Sequence, residues 1–270
     1  MKIVAKEICP ICGKAAHFII KDSATLLRDA NCEFCGVSLR TADLSNQLIF
    51  LLTEKKSYNT LADCLNDYSK IRVLNLASFG KIHEFMLNLP GYSFGEFFDG
   101  VKSGDFKNGI QCIDLQDIPF EDNTFDFVIT EDVFEHVVNY EKAFKEIKRV
   151  LKPKGKHVFT IPLHEKQKTL SREKLLPVYH IDPLRTKGAF VVTDFGNDII
   201  EILGQYGMKT KKVVAHRFFF PDEITYLNEK KDYEHYLKYR DDLSQAFRYN
   251  SVVFISEKPK ESIIKKWINL

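Results

Sequence analysis

Residues 125–130 read FDFVIT, a short and mostly apolar run with β-branched and aromatic side chains. That is the composition of a strand buried on both faces of a parallel sheet. The period then becomes helical: Tyr140, Phe144, Ile147 and Leu151 share one face, and Lys142, Lys145, Glu146 and Arg149 the other. Pro153 and Gly155 are expected to end this helix, with residues 156–161 as the next strand. Upstream, residues 71–77 (IRVLNLA) read as the first sheet strand, and Ser78-Phe79-Gly80 turns into a helix carrying Ile82, Phe85, Met86 and Leu89. Residues 91–96 (GYSFGE) form a second strand pattern weakened by two glycines. A helix is predicted near Ser45 as N-cap, and another over 194–206 with Asp194 as N-cap and Gly207 as its stop. Residues 208–215 and 251–257 read as the last two strands, forming an antiparallel edge. The order of strands and helices predicts an α/β fold: a Rossmann-like sheet with helices on both faces.

Composition narrows the function classes. A chain of 270 residues with a net charge of +2 buries a full core, has room for a small appended domain, and gives no reason to expect a nucleic acid or a membrane surface as partner. No apolar run approaches 18 residues and the N-terminus lacks the apolar core of a signal peptide, so a soluble, cytoplasmic protein is expected. The cysteines change the picture more. Cys9-x-x-Cys12 and Cys32-x-x-Cys35 are two knuckles, each followed by a glycine, Gly13 or Gly36. This spacing predicts four thiolates closing on a structural Zn2+, a staple for a module too small to bury its own core. Cys64 and Cys112 lie outside the pattern and are expected to be buried small apolar residues.

Residues 110–162 carry a further signature: Asp114, then Ile118-Pro119-Phe120, Asp122-Asn123-Thr124-Phe125-Asp126, Glu135-His136 and Arg149-Val150-Leu151-Lys152-Pro153. Lys154 stands in place of the first of two expected glycines, and Gly155 keeps the second. This stretch resembles the later half of the class I S-adenosylmethionine (SAM)-dependent methyltransferases. The resemblance implies a SAM site along the carboxyl edge of the sheet. The family's acid-x-Gly-x-Gly turn appears here as Asn75-Leu76-Ala77-Ser78-Phe79, so an amide replaces the acid and only Gly80, just beyond, is a glycine. Either the cofactor binds with weakened affinity or the turn has been reshaped for structural reasons. Asn75, Ala77, Ser78 and Gly80 are the candidate residues of the turn. Glu96, twenty-one residues after Asn75, is placed to accept hydrogen bonds from ribose hydroxyls. The resemblance assigns Asp114 to the adenine amino group, Leu115 to the ring, and Thr130 and Glu131 to the methionine end.

Two histidines are candidate catalytic bases. His136 lies near the start of the helix after residues 125–130, with a structural role as the alternative, and His180 lies in YHIDPLR, where a solvated loop is the alternative. Taken together, residues 1–42 read as a zinc ribbon and 43–270 as a methyltransferase-like domain with insertions at about 163–193 and 216–250. The expected activity is transfer of a methyl group from SAM to an oxygen or nitrogen of a small-molecule or sugar acceptor. The alternative is a binding or scaffolding protein that keeps the fold without catalysis.

Overall fold

The computed structural model describes residues 2–20, 26–54, 58–164, 167–216 and 250–260. Strands β1 (Lys2–Ile8), β2 (Ala15–Ile20) and β3 (Asn31–Cys32) form a small antiparallel sheet in that order. Helix α1 (Leu39–Thr53) follows, and its N-cap is Ser38, whose hydroxyl accepts from the Thr41 amide at 3.1 Å. Ser45, predicted as that cap, lies inside the helix with its hydroxyl donating to the Thr41 carbonyl. The helix begins a full turn and more earlier because Leu39 and Ala42 pack into the small sheet's core, while Leu44, Leu48 and Ile49 pack into the main one.

After α2 (Leu61–Asp67) come β4 (Val73–Asn75), α3 (Lys81–Met86), β5 (Tyr92–Phe94), the hairpin β6 (Phe106–Lys107) and β7 (Ile110–Gln111), and β8 (Phe125–Glu131). Helix α4 (Tyr140–Val150) presents Ala143, Phe144, Ile147 and Val150 to the core. It ends at Val150, and Leu151 already belongs to β9 (Leu151–Thr160), so Pro153 and Gly155 lie within the strand rather than between helix and strand. The start of β9 is irregular beside Phe125. Lys154 there holds a φ of 68°, and a side chain at Gly155 would meet the Lys152 and Phe125 carbonyl oxygens at 2.8 and 3.0 Å.

Beyond β9 an insertion folds into β10 (Leu163–His164), β11 (Leu170–Ser171), the hairpin β12 (Tyr179–Asp182) and β13 (Arg185–Phe190), and β14 (Thr193–Gly196). Strand β14 pairs with β10 in parallel and with β11 antiparallel. Asp194 is therefore a strand residue bound to Arg172 at 2.5 Å, not a helix cap. Helix α5 (Ile199–Gln205) starts after Asp198 instead. Strands β15 (Lys209–His216) and β16 (Ser251–Glu257) complete the chain's order. The insertion expected at about 216–250 lies, apart from His216 and Asn250, outside the described residues.

The central sheet has the order β15-β16-β9-β8-β4-β5. Strands β5, β4, β8 and β9 run parallel, and β16 is antiparallel to both β9 and β15. This is the expected Rossmann-like α/β architecture, with one apolar cluster on each side of the sheet. The third strand shrinks to a single parallel bridge, Glu96 to Cys112, because Ile110 and Gln111 pair with β6 instead. Cys64 and Cys112 are fully buried. Among the described residues no helix is long and apolar enough to cross a membrane.

Candidate functional site

The chain reverses its direction of travel across the sheet between β4 and β8, which creates a crevice at the carboxyl ends of the parallel strands, where open α/β sheets take their ligands. The turn after β4 meets the end of β5 there. Glu96 accepts from the Ser78 amide at 2.6 Å and the Ser78 hydroxyl at 2.9 Å. Burial pushes the Glu96 carboxyl above its ordinary range, and the two Ser78 donors partly offset this. Gly80 has a φ of 88°, which the left-handed turn requires, and only open space lies where a side chain would start. Phe79 points outward, half-exposed.

Asn75 is buried, and its side-chain amide donates to the Tyr92 hydroxyl at 3.0 Å and to the Ala77 carbonyl at 3.4 Å. The Tyr92 hydroxyl in turn bonds His83 Nδ1 at 2.9 Å, so the residue in the acid's place anchors the turn to a buried polar chain. Burial pushes the Tyr92 phenol up to about 12. Asp114 sits two residues past the Cys112 bridge and accepts from the Gln116 amide at 2.8 Å, holding the backbone in a tight local turn. Leu115 is buried in the core cluster with Leu76 and Ile118. Ala77, Ser78, Gly80, Glu96 and Asp114 thus gather at one edge.

The end of β8 behaves differently. Thr130 is fully buried and shares a 2.8 Å hydrogen bond with His157 Nε2. Glu131 accepts from the Thr41 hydroxyl at 2.6 Å and from Arg40 Nε at 3.0 Å. Asp132, next along, is bonded by Arg28 and Arg40 and accepts from the Thr160 hydroxyl at 2.8 Å. Burial opposes its charge, but the two guanidiniums and that hydroxyl hold its carboxyl well below the usual carboxylate range. The acidic end of β8 is therefore bound by Arg28, Arg40 and Thr41, side chains from the first forty-one residues. Arg28, Arg40 and Asp132 were not anticipated from the sequence. The signal available was a second acid directly after Glu131 at the carboxyl edge.

The four predicted cysteines converge. The Sγ atoms of Cys9 and Cys35 lie 3.7 Å apart and those of Cys12 and Cys32 3.9 Å apart. All four lie within 4.8 Å of one another. A tetrahedron with Zn–S bonds of about 2.3 Å has edges of about 3.8 Å, so the donors fit zinc without rearrangement. Gly13 and Gly36, at φ of 72° and 74°, give their amides to the Cys9 and Cys32 carbonyls and close each knuckle. Burial pushes the Cys9 thiol up. A zinc ion bound by the four thiolates would offset that cost.

The insertion brings the two histidines together. The Val192 amide donates to the Glu135 carbonyl at 2.7 Å, and His136 Nδ1 donates to the Phe190 carbonyl at 2.8 Å. These bonds seat the β12–β13 hairpin so that His180 Nδ1 lies 3.4 Å from Glu135 Oε1, while His136 Nε2 lies 3.7 Å from the same oxygen. At its other end the hairpin gives an Arg185 guanidinium bond to the Phe97 carbonyl at 2.7 Å, one residue beyond Glu96. The hairpin therefore spans from the β8 side of the crevice to the β5 side. A separate surface cleft lined by Ser69, Lys70, Arg72, Gly91 and Tyr92 sits at the amino ends of β4 and β5, and none of the candidate residues lines it.

Parts of the chain are similar to known proteins. Residues 99–159 match the family model described as a methyltransferase domain. Over 103 residues the chain is 50% identical to an uncharacterized protein of Methanocaldococcus jannaschii, covering 33% of this chain and 45% of that protein. Over 77 residues it is 36% identical to the glycine/sarcosine/dimethylglycine N-methyltransferase of Actinopolyspora halophila, covering 28% of this chain and 14% of that enzyme. The chain thus spans less than half the length of these two curated relatives. The solved structure of Haemonchus contortus phosphoethanolamine N-methyltransferase 2 in complex with S-adenosyl-L-methionine aligns at 15% identity with a TM-score of 0.39, covering 82% of this chain and 57% of that one. Residues 99–159 thus match a methyltransferase domain, and they lie within a sheet of Rossmann-like α/β order.

Proposed function

We propose that this chain transfers the methyl group of SAM to an oxygen or nitrogen of a small-molecule or sugar acceptor. The observation that carries the reading is Glu96: a carboxylate at the end of β5, fixed by the Ser78 amide and hydroxyl, beside an open left-handed turn at the crevice. From there it offers its remaining lone pairs to ribose hydroxyls, with Asp114 beyond it toward the adenine and Ala77 and Gly80 leaving room for the ligand's approach. When bound, SAM supplies a methyl group already activated by its sulfonium, so the protein's share is to align the acceptor and exclude water. The hairpin across the crevice is suited to both tasks, and His180 and His136 are the groups in reach of an acceptor's proton. Residues 1–42 are proposed to be a ribbon held by a structural Zn2+ on Cys9, Cys12, Cys32 and Cys35. Glu131 then serves that module's attachment, bound by Thr41 and Arg40, while Thr130 is held within the sheet by His157.

The occupied end of β8 favours a second reading, in which the domain binds a ligand or partner without transferring a methyl group. Calorimetric titration of zinc-loaded protein with SAM, with Glu96→Ala as control, tests the first reading. Binding that Glu96→Ala abolishes supports it, and no binding to the intact protein refutes it.

A further inference from the structure

Glu135 is 1% exposed, and among the described residues neither of its carboxylate oxygens has a hydrogen-bond partner. A carboxylate cannot be buried this deeply without compensation, because its lost hydration has to be replaced by other partners. Three features of its surroundings indicate what compensates. Two imidazole nitrogens, His180 Nδ1 at 3.4 Å and His136 Nε2 at 3.7 Å, face the same Oε1. Both distances exceed a normal hydrogen bond. They match instead the edges of a coordination tetrahedron with metal–ligand bonds of about 2.1 Å, which are about 3.4 Å. Finally, His136 Nδ1 is committed to the Phe190 carbonyl at 2.8 Å. That bond fixes the tautomer with the proton on Nδ1 and leaves the Nε2 lone pair directed at the group, the arrangement by which an outer hydrogen bond orients a metal-binding histidine.

We propose that Glu135, His136 and His180 bind a divalent transition-metal ion, separately from the four cysteines. Two imidazoles and one carboxylate select zinc, iron(II), cobalt or nickel over magnesium or calcium, which prefer all-oxygen sets. Three protein ligands leave at least one coordination position open, and closed structural sites do not. The side chains of His136 and His180 are 20% and 35% exposed, so the open position faces the crevice rather than the core. An acceptor's oxygen or nitrogen lone pair is the ligand that would fill it. This use of the ion rests on the methyl-transfer reading, whereas the metal site itself rests on the geometry alone. Both histidines then position the acceptor through the metal instead of taking its proton.

The test is a metal count on the full chain. Protein equilibrated with Zn2+, and in parallel with Co2+, is freed of unbound ion and its metal per chain measured by plasma mass spectrometry, with SAM calorimetry on the same samples. The intact protein should hold two ions and both His180→Ala and Glu135→Gln one. The thiolate-to-cobalt absorption of the cysteine site should persist in both variants. Because Glu135 is buried, His180→Ala on the partly exposed hairpin guards against a folding defect in its partner, and circular dichroism of each variant reports the fold. One ion per intact chain, or a second ion retained in both folded variants, overturns the proposal. A second ion without SAM binding upholds the metal site and refutes methyl transfer, so the two ideas fail separately.

Discussion

Replacing Arg40 with Met removes one charge from the point where the N-terminal module meets the end of β8. Arg40 bonds Glu131 and Asp132 and pairs with Asp29 at 3.2 Å, and its side chain is 23% exposed. Breaking a buried pair by removing one partner costs roughly 3–5 kcal/mol. Arg28 remains on Asp132 and the site is partly hydrated, so about 2–3 kcal/mol is expected for Arg40→Met. With a urea slope of about 2–3 kcal/mol per M for a chain of this size, the unfolding midpoint followed by circular dichroism should fall by about 1 M. In the background of Glu131→Gln and Asp132→Asn the same substitution should cost under about 1 kcal/mol, since it no longer strands carboxylates. The sign with pH follows from Asp132. Its folded carboxyl titrates below the unfolded value of about 3.9, so its contribution is present above that value and lost as pH falls below it. The gap between wild type and Arg40→Met should therefore narrow below about pH 4. A loss under about 1 kcal/mol at neutral pH, the range of exposed pairs, would refute the view that this network fixes the module to the sheet.

Three further outcomes are expected. If Glu96 binds ribose as a carboxylate, SAM affinity measured by calorimetry should be flat near neutrality and fall on acidification, beginning above the ordinary glutamate value of about 4.3, because burial raises its folded pKa; an affinity unchanged down to pH 4 would remove Glu96 from the site. His157, fully buried with its imidazole pushed down to about 3, stays neutral in the fold while the unfolded chain protonates near 6.5, so its contribution is present above that value and is lost by about 1.4 kcal/mol per pH unit below it. His157→Gln should flatten that acid limb in denaturant titrations, and an unchanged slope would show that other groups set it. Removing zinc with a chelator, or Cys32→Ser, should lower the melting temperature and reduce circular dichroism, because α1 starts within the core that the four cysteines help to close; zinc loss confirmed by mass spectrometry with an unaltered melt would contradict a structural ion.

Local chemistry made much of this structure legible. The strand patterns of β4 and β8, the amphipathic α4 and the paired cysteine knuckles each announce themselves within a few residues, and Glu96 was placed by its distance from β4. The start of α1 was misread because the apolar run at 47–52 outweighed Ser38, which caps without the acidic partner that completes a capping box. Asp194 has the residue type of a cap, but Arg172 and two neighbouring strands claim it. The Arg28–Asp132 and Arg40–Asp132 contacts join positions 104 and 92 residues apart, and no local period or spacing encodes such a pairing. Likewise, Glu135 and His136 were visible as a dipeptide, but only the folded insertion shows that His180 completes them.

The separation between Arg28 and Asp132 also has a meaning in time. Arg28 ends up 2% exposed, yet its carboxylate partner is made 104 residues later. At synthesis rates of about 5–20 residues per second, the nascent chain carries that cation without Asp132 for about 5–20 s. A zinc ion on the four thiolates, as proposed, would shape the first forty residues during this interval, but docking against β8 has to wait until the strand and its acids have left the ribosome. On the proposed zinc ribbon, the chain's order would have a metal-closed module form first and the edge of the sheet at β8 be completed around it afterwards.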